Sequence, residues 1–115
     1  MPTNRIDKVN SLIQEELGKI ILKEIEFPQG SLVTLTRVET SVDLANSRIY
    51  IAVLPQENVK RVLEILGKMI FVLQKTLNKR LKMRPIPKIR FVEEKQTGSV
   101  ARIESLLEQI KDQET

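Results

Sequence analysis

The chain contains no cysteine, no histidine and no tryptophan among its 115 residues. Without cysteine it has no disulfide, no thiolate nucleophile and no cysteine-based metal site. Without histidine it lacks the commonest metal ligand and the commonest general base. We therefore expect a protein that is not an enzyme, holds no metal and needs no cofactor.

Neither the glycines nor the adjacent pairs of carboxylates indicate a catalytic site. The adjacent pairs Glu15-Glu16 and Glu93-Glu94 point in different directions on a helix or a strand, which is typical of solvated surface charge. The four glycines are isolated, so no phosphate-binding glycine loop and no Gly-x-x-Gly loop can be built from them: Gly18, Gly30, Gly67 and Gly98.

Long hydrophobic runs are absent too. No apolar run approaches the roughly 20 residues that cross a bilayer, and residues 1–7 lack the apolar region of a signal peptide. The expectation is a cytoplasmic protein without a membrane partner. Its length is that of one domain, residues 1–115, with about 4–110 ordered and 111–115 a frayed tail.

Acidic residues are missing from one continuous quarter of the chain. Residues 65–92 hold no aspartate or glutamate, whereas the remainder has 11 basic and 15 acidic residues. Such a distribution is typical of a surface that binds a polyanion. The eight basic residues of this segment are Lys68, Lys75, Lys79, Arg80, Lys82, Arg84, Lys88 and Arg90.

Apolar periodicity predicts an α+β fold with the order helix, strand, strand, long helix, strand and a short C-terminal helix. The helices are expected over residues 4–25, from residue 59 to the prolines at 85 and 87, and over 100–110. The strands are expected over 31–39, 47–54 and 88–93, the first two as an antiparallel pair. Gly67 suggests a bend in the long helix, although close packing would explain it equally well. Three strands with helices on one face match the K-homology fold of the second type, here without its glycine loop.

The helical pitch places the lysines of the second helix away from its apolar stripe. Lys75, Lys79 and Lys82 follow one another along one face, whereas Arg80 and Arg84 lie nearer the flank of the apolar stripe. We expect all these cations, with Lys88 and Arg90 of the next strand, to share one exterior surface that binds RNA phosphates. An ordinary solvated helix face is the alternative. Additional candidates for RNA contact are Arg5, Lys8 and Arg48.

The aromatic residues favour recognition of phosphate and shape over base reading. Phe71 and Phe91 occupy core-like positions in the pattern, and only Tyr50 is expected on an open sheet face. Asp43 is expected to order the loop between the first two strands.

One distinctive stretch is Val38-Glu39-Thr40-Ser41-Val42-Asp43-Leu44-Ala45, followed by the strand Arg48-Ile49-Tyr50-Ile51. Later in the chain come Leu81-Lys82-Met83-Arg84 and Pro87-Lys88-Ile89-Arg90-Phe91. Together these stretches resemble the ribosome-binding factor A family, from about residue 5 to 110, and the first of them is the most specific match. At the bend, where members carry a small residue, a glycine, an aromatic and an arginine, this chain has Met69-Ile70-Phe71-Val72-Leu73-Gln74.

This resemblance implies a K-homology-like fold of the second type whose glycine loop is replaced by a kinked helix pair. It also implies binding to the immature small (30S) ribosomal subunit and its 16S rRNA, with a role in late maturation that matters in the cold. A ribosome-associated GTPase is a further candidate partner, and a monomer is expected. Three alternatives stay open: a K-homology-like protein–protein adaptor with a basic helix, a generic RNA-binding protein with a basic helix, and a hydrolase or transferase built on carboxylates.

Overall fold

The computed structural model describes residues 4–95. It contains helix α1 (Asn4–Glu24), strands β1 (Leu32–Thr40) and β2 (Asn46–Leu54), and a single 3₁₀ turn (Gln56–Asn58). Helices α2 (Val59–Lys68) and α3 (Ile70–Arg80) follow, and strand β3 (Lys88–Glu93) completes the order. The predicted α+β class and element order are confirmed over this range. The predicted C-terminal helix at 100–110 and the tail at 111–115 lie outside the described residues.

Helix α1 forms because apolar residues recur at three- and four-residue steps and so make one continuous stripe. Ile13, Leu17 and Ile20 of this stripe are completely buried. The helix ends four residues before Pro28. Gly30 then adopts a φ of 84°, a left-handed conformation that glycine enters without a steric penalty, and the chain turns into β1.

The three strands form one sheet in the order β1-β2-β3. β1 and β2 are antiparallel, as predicted, with a register shift between Leu35 and Arg37. β2 and β3 are parallel. Since side chains alternate along a strand, one sheet face is buried against the helices, and the opposite face has no helix over it among residues 4–95.

The predicted long helix is two helices, and the break between them lies at Met69. Met69 has φ −94° and ψ 5°, outside the helical region, and separates α2 from α3. A Cβ built on Gly67 would have no atom within 4 Å, so close packing does not explain that glycine. The bend is therefore confirmed, but it lies two residues beyond Gly67. The helix also ends earlier than predicted, at Arg80.

The core between the layers is aliphatic. Ile49 and Ile51 of β2 meet Leu66 of α2 and Leu73 and Leu77 of α3, all fully buried. Burying such side chains contributes about 1.5–3 kcal/mol each. This packing fixes which side of α3 faces water, and hence where its basic residues point.

Candidate nucleic-acid interface

Exposed lysines occur at the end of α2, along α3 and just beyond the end of α3. None of them has a carboxylate oxygen within 4 Å among residues 4–95. Leu73 and Leu77 hold the opposite side of α3 in the core, so the lysines point into solvent. We call this set the lysine stripe: Lys68 at the end of α2, Lys75 and Lys79 in α3, and Lys82. Lys82 lies two residues beyond the end of α3, so the prediction that it continues the helix face is wrong.

Arg80 differs from these lysines because it is already paired. Its Nη1 lies 3.2 Å from Oε2 of Glu16 and donates a hydrogen bond to it, joining α3 to α1. Both side chains are only partly exposed, at 35% and 23%. The predicted RNA contact by Arg80 would have to compete with this ion pair.

A second group of cations lies on the sheet face that no described helix covers. Arg48 of β2 is the direct neighbour of Arg90 on β3, and Asn46 is the neighbour of Lys88. Like charges in neighbouring strands repel, so Arg48 and Arg90 together form a site suited to an anion. Arg48 also lies near a carboxylate, with its Nη2 3.8 Å from Oε2 of Glu39. We call Arg48, Lys88 and Arg90 the sheet cations.

On the adjoining part of this sheet face, the positive charge of an arginine is neutralised by nearby carboxylates. The Arg37 guanidinium stacks 3.9 Å above the centroid of the Tyr50 ring. Its Nε donates to Glu94 Oε1 at 2.9 Å, and it also pairs with Glu39. Hydrogen bonding to Glu94 raises the pKa of Arg37. Tyr50, expected as an open aromatic surface, is half-buried and has this cation over its ring.

The remaining predicted cations are spread over other parts of the surface. Arg84 lies in the segment between α3 and β3, where it lines a cleft with Asn78, Pro85 and Ile86. Arg5 and Lys8 are exposed on the first turns of α1.

The expectation of a single cationic surface is wrong. The lysine stripe belongs to the helix layer, whereas the sheet cations point away from the helices on the far side of the sheet. In a two-layer fold, outward-facing residues of the two layers lie on different sides of the molecule. The structure thus presents two basic surfaces instead of one.

Gln74 connects the elements that carry these two surfaces. Its Oε1 accepts a hydrogen bond from the backbone N–H of Ile89 at 2.8 Å, and its Nε2 donates to the carbonyl of Pro87 at 3.1 Å. Both partners are buried, and both belong to the outer edge of the sheet. A single side chain of α3 therefore fixes the start of β3 beside it.

Phe71 is exposed to solvent, although its position in the sequence pattern predicted a place in the core. Its side chain is 85% exposed near the start of α3, whereas Phe91 packs against the core as expected. Its position around the helix could have predicted this exposure. Phe71 precedes the buried Leu73 by two residues, which is about 200° around a helix. An aromatic residue at that angle faces water.

The loop between β1 and β2 is ordered by Asp43, as predicted. Asp43 Oδ1 accepts hydrogen bonds from Ser41 Oγ at 2.6 Å and from the Ala45 N–H at 3.1 Å. These two hydrogen bonds lower the pKa of Asp43 from its ordinary value of 3.8. Leu44, with a φ of 60°, is held in place by burial of its side chain.

Neither a metal site nor a membrane-spanning helix is present within residues 4–95. Residues 4–95 contain no cluster of three metal-ligating acidic side chains. No helix within these residues has the length and apolar character needed to span a membrane.

Comparison with known proteins identifies the family. The family model described as ribosome-binding factor A matches residues 5–107. The chain belongs to the ribosome-binding factor A family. A member from Chlamydia pneumoniae is 35% identical over 113 residues, which cover 96% of this chain and 94% of that protein.

Solved structures related to ribosome-binding factor A share the fold. A solution NMR structure from Thermotoga maritima, reported as a candidate ribosome binding factor A, has a TM-score of 0.67 and 30% identity. It covers 86% of this chain and 95% of that one. A homology model of the Thermus thermophilus factor, fitted into a cryo-EM map of its complex with the 30S subunit, has a TM-score of 0.65. That model is 21% identical and covers 77% of this chain and 94% of its own. These similarities agree with a K-homology-like fold.

Proposed function

We propose that this ribosome-binding factor A family member binds the immature small ribosomal subunit through its 16S rRNA and aids late maturation and processing of that RNA. The observation that carries the proposal is the lysine stripe, whose ammonium groups have no carboxylate partner among residues 4–95. The complex of the Thermus factor with the 30S subunit supports the choice of partner.

The physical basis is release of counterions from RNA. Each phosphate that a lysine neutralises frees a condensed cation, so affinity falls steeply as salt rises. Lys75 and Lys79 are one helical turn apart, about 6 Å along the axis. Two neighbouring ammonium groups on a rigid helix can thus contact successive phosphates with little loss of backbone entropy.

The sheet cations and Arg84 extend the proposal to a second RNA contact. Arg48 and Arg90 are direct neighbours on β2 and β3, and one phosphate between them would relieve their mutual repulsion. Arg5, Lys8 and Arg80 are weaker candidates, because the first two lie on a separate helix and the third is paired with Glu16.

The wider role that goes with this proposal is that of a cytoplasmic, monomeric assembly factor with importance in the cold. A ribosome-associated GTPase is the proposed aid to its release. The family resemblance is the support for these features.

The test neutralises part of the stripe and compares it with a matched control. Lys75→Gln with Lys79→Gln removes two stripe charges, and Lys23→Gln with Lys60→Gln removes two exposed helical lysines elsewhere. Co-sedimentation with precursor and mature small subunits is measured at graded salt. The stripe variant should bind more weakly, and its salt slope (log K against log salt) should drop by about 1 per lysine.

Equal binding by the stripe variant and the wild type would refute the role of the stripe. Binding that survives nuclease treatment of the partner would favour the protein–protein adaptor. Circular dichroism melts should be nearly unchanged for both variants, because exposed charges without partners contribute little to stability.

A further inference from the structure

Phe71 is an exposed phenyl ring next to the break between α2 and α3. It is the second residue of α3 and follows Met69, the residue at the break, by two positions. Its side chain is 85% exposed, and Val72 beside it is 43% exposed. An exposed phenyl ring on a helix presents a flat apolar face on which another flat ring can stack.

Lysines flank this ring on both sides along the chain. Lys75 follows Phe71 by four residues within α3, a spacing that places the two on the same side of a helix. Lys68 precedes Phe71 by three residues, just before the break. Both lysines are exposed without a carboxylate within 4 Å among residues 4–95, and no acidic residue occurs between positions 65 and 92.

We propose that Phe71 stacks on an unpaired RNA base while Lys68 and Lys75 hold the phosphates on either side of that nucleotide. This inference rests on the proposed function and adds to it a contact with a single-stranded nucleotide. An aromatic ring accepts any base, since every base presents a π face, and flanking cations follow the backbone. A paired base in a duplex is stacked on its neighbours, so the site selects a loop, bulge or single-stranded end.

A protein partner fits the same surface less well. An apolar protein patch could cover Phe71, but it would leave Lys68 and Lys75 at the interface without opposite charges unless acids accompanied it. A nucleotide supplies the flat apolar surface and the anions together.

The first experiment uses the absence of tryptophan from the chain. Phe71→Trp introduces a single tryptophan at the site, and Leu22→Trp introduces one at a control position of matching exposure, 86%. Leu22 also follows a lysine by three residues, but Lys19 is paired with Glu15 and Glu16. Single-stranded oligouridylate should quench the tryptophan at position 71, a blunt RNA duplex should quench it much less, and the control should be quenched by neither.

The second experiment measures affinity for the small subunit. Phe71→Leu keeps an apolar side chain but removes the π face, and it should weaken binding about 5- to 150-fold. Phe71→Tyr keeps the ring and should bind within about threefold of the wild type. Both variants should melt like the wild type because the side chain lies outside the core.

The outcomes separate this inference from the proposed function. Oligouridylate that binds by labelled-RNA anisotropy but leaves the position-71 fluorophore unquenched would overturn stacking and leave the lysine stripe intact. Weaker subunit binding by Phe71→Leu without quenching by RNA alone would assign Phe71 to a protein contact, and it too would overturn the inference. A wild-type chain that binds neither RNA nor small subunits would overturn both.

Discussion

Replacing Gln74 with leucine removes the side chain that joins α3 to the outer edge of β3. Leucine fills a similar volume, so the change acts mainly on hydrogen bonds. It leaves the N–H of Ile89 and the carbonyl of Pro87 without their partners. Ile89 is 6% exposed and Pro87 under 2%, so water cannot readily replace the amide.

The magnitude follows from these two groups. A buried backbone donor or acceptor that loses its partner costs about 1–3 kcal/mol. Allowing for partial relaxation, Gln74→Leu should lower the free energy of unfolding by about 2–4 kcal/mol, a large fraction of the stability of a domain this size. The melting temperature should fall by roughly 10 °C or more.

The assay is urea unfolding followed by circular dichroism, together with hydrogen exchange of the Ile89 amide. That amide should exchange faster in the variant relative to the Glu39 and Arg48 amides, which face each other in the β1–β2 ladder. Asn78→Ala is the matched control, because it removes only the exposed hydrogen bond between Gln74 and Asn78. The control should change stability by less than about 0.5 kcal/mol. A Gln74→Leu protein as stable as that control would refute the reasoning.

Two other substitutions test the bend and the loop. Gly67→Ala should raise the free energy of unfolding by about 0.4–1 kcal/mol in urea titrations, because the new Cβ meets no atom within 4 Å and the unfolded chain loses freedom. A destabilised variant would show that the bend depends on Gly67. Asp43→Asn should destabilise the chain at neutral pH, since the folded pKa of Asp43 is lowered and its stabilisation is present above the unfolded value. That stabilisation disappears as pH falls through the folded pKa. Melts over an acid series should therefore show the two proteins converging, and a constant difference would contradict this assignment.

Local patterns predicted the elements well because each element satisfies its own periodicity. The step of α1 from Ile13 to Leu17 to Ile20 defines one buried side whatever the rest of the chain does. The alternation of apolar and polar residues in β2 correctly predicted which face of this strand is buried. The observed bounds of β2 differ from the predicted ones by one residue. The parallel pairing of β3 with β2 was not predicted, because it depends on contacts between residues far apart in sequence.

The candidate site was harder to predict because it depends on how elements are arranged. Lys75 and Lys88 both face water in the sequence pattern, but only the two-layer packing shows that they lie on different sides of the molecule. The pairing of Arg80 with Glu16 joins α1 to α3 and has no local signature. Phe71 could have been placed from its helical phase; its residue type, which favours burial, was the misleading signal.

The two basic surfaces change what the protein can do with RNA. A straight duplex that lies along the lysine stripe cannot at the same time contact Arg90 on the far side of the sheet. Simultaneous use of both surfaces therefore requires two RNA segments or a strand that bends around the protein. Gln74 holds α3 against β3 with two hydrogen bonds and thereby fixes the geometry between those surfaces. A rigid protein with two such surfaces favours the RNA arrangement that satisfies both, because only that arrangement collects both sets of phosphate contacts. On this argument the fold contributes spacing as well as charge, and a folded but loosened variant at Gln74 should keep each contact while losing the coupling between them.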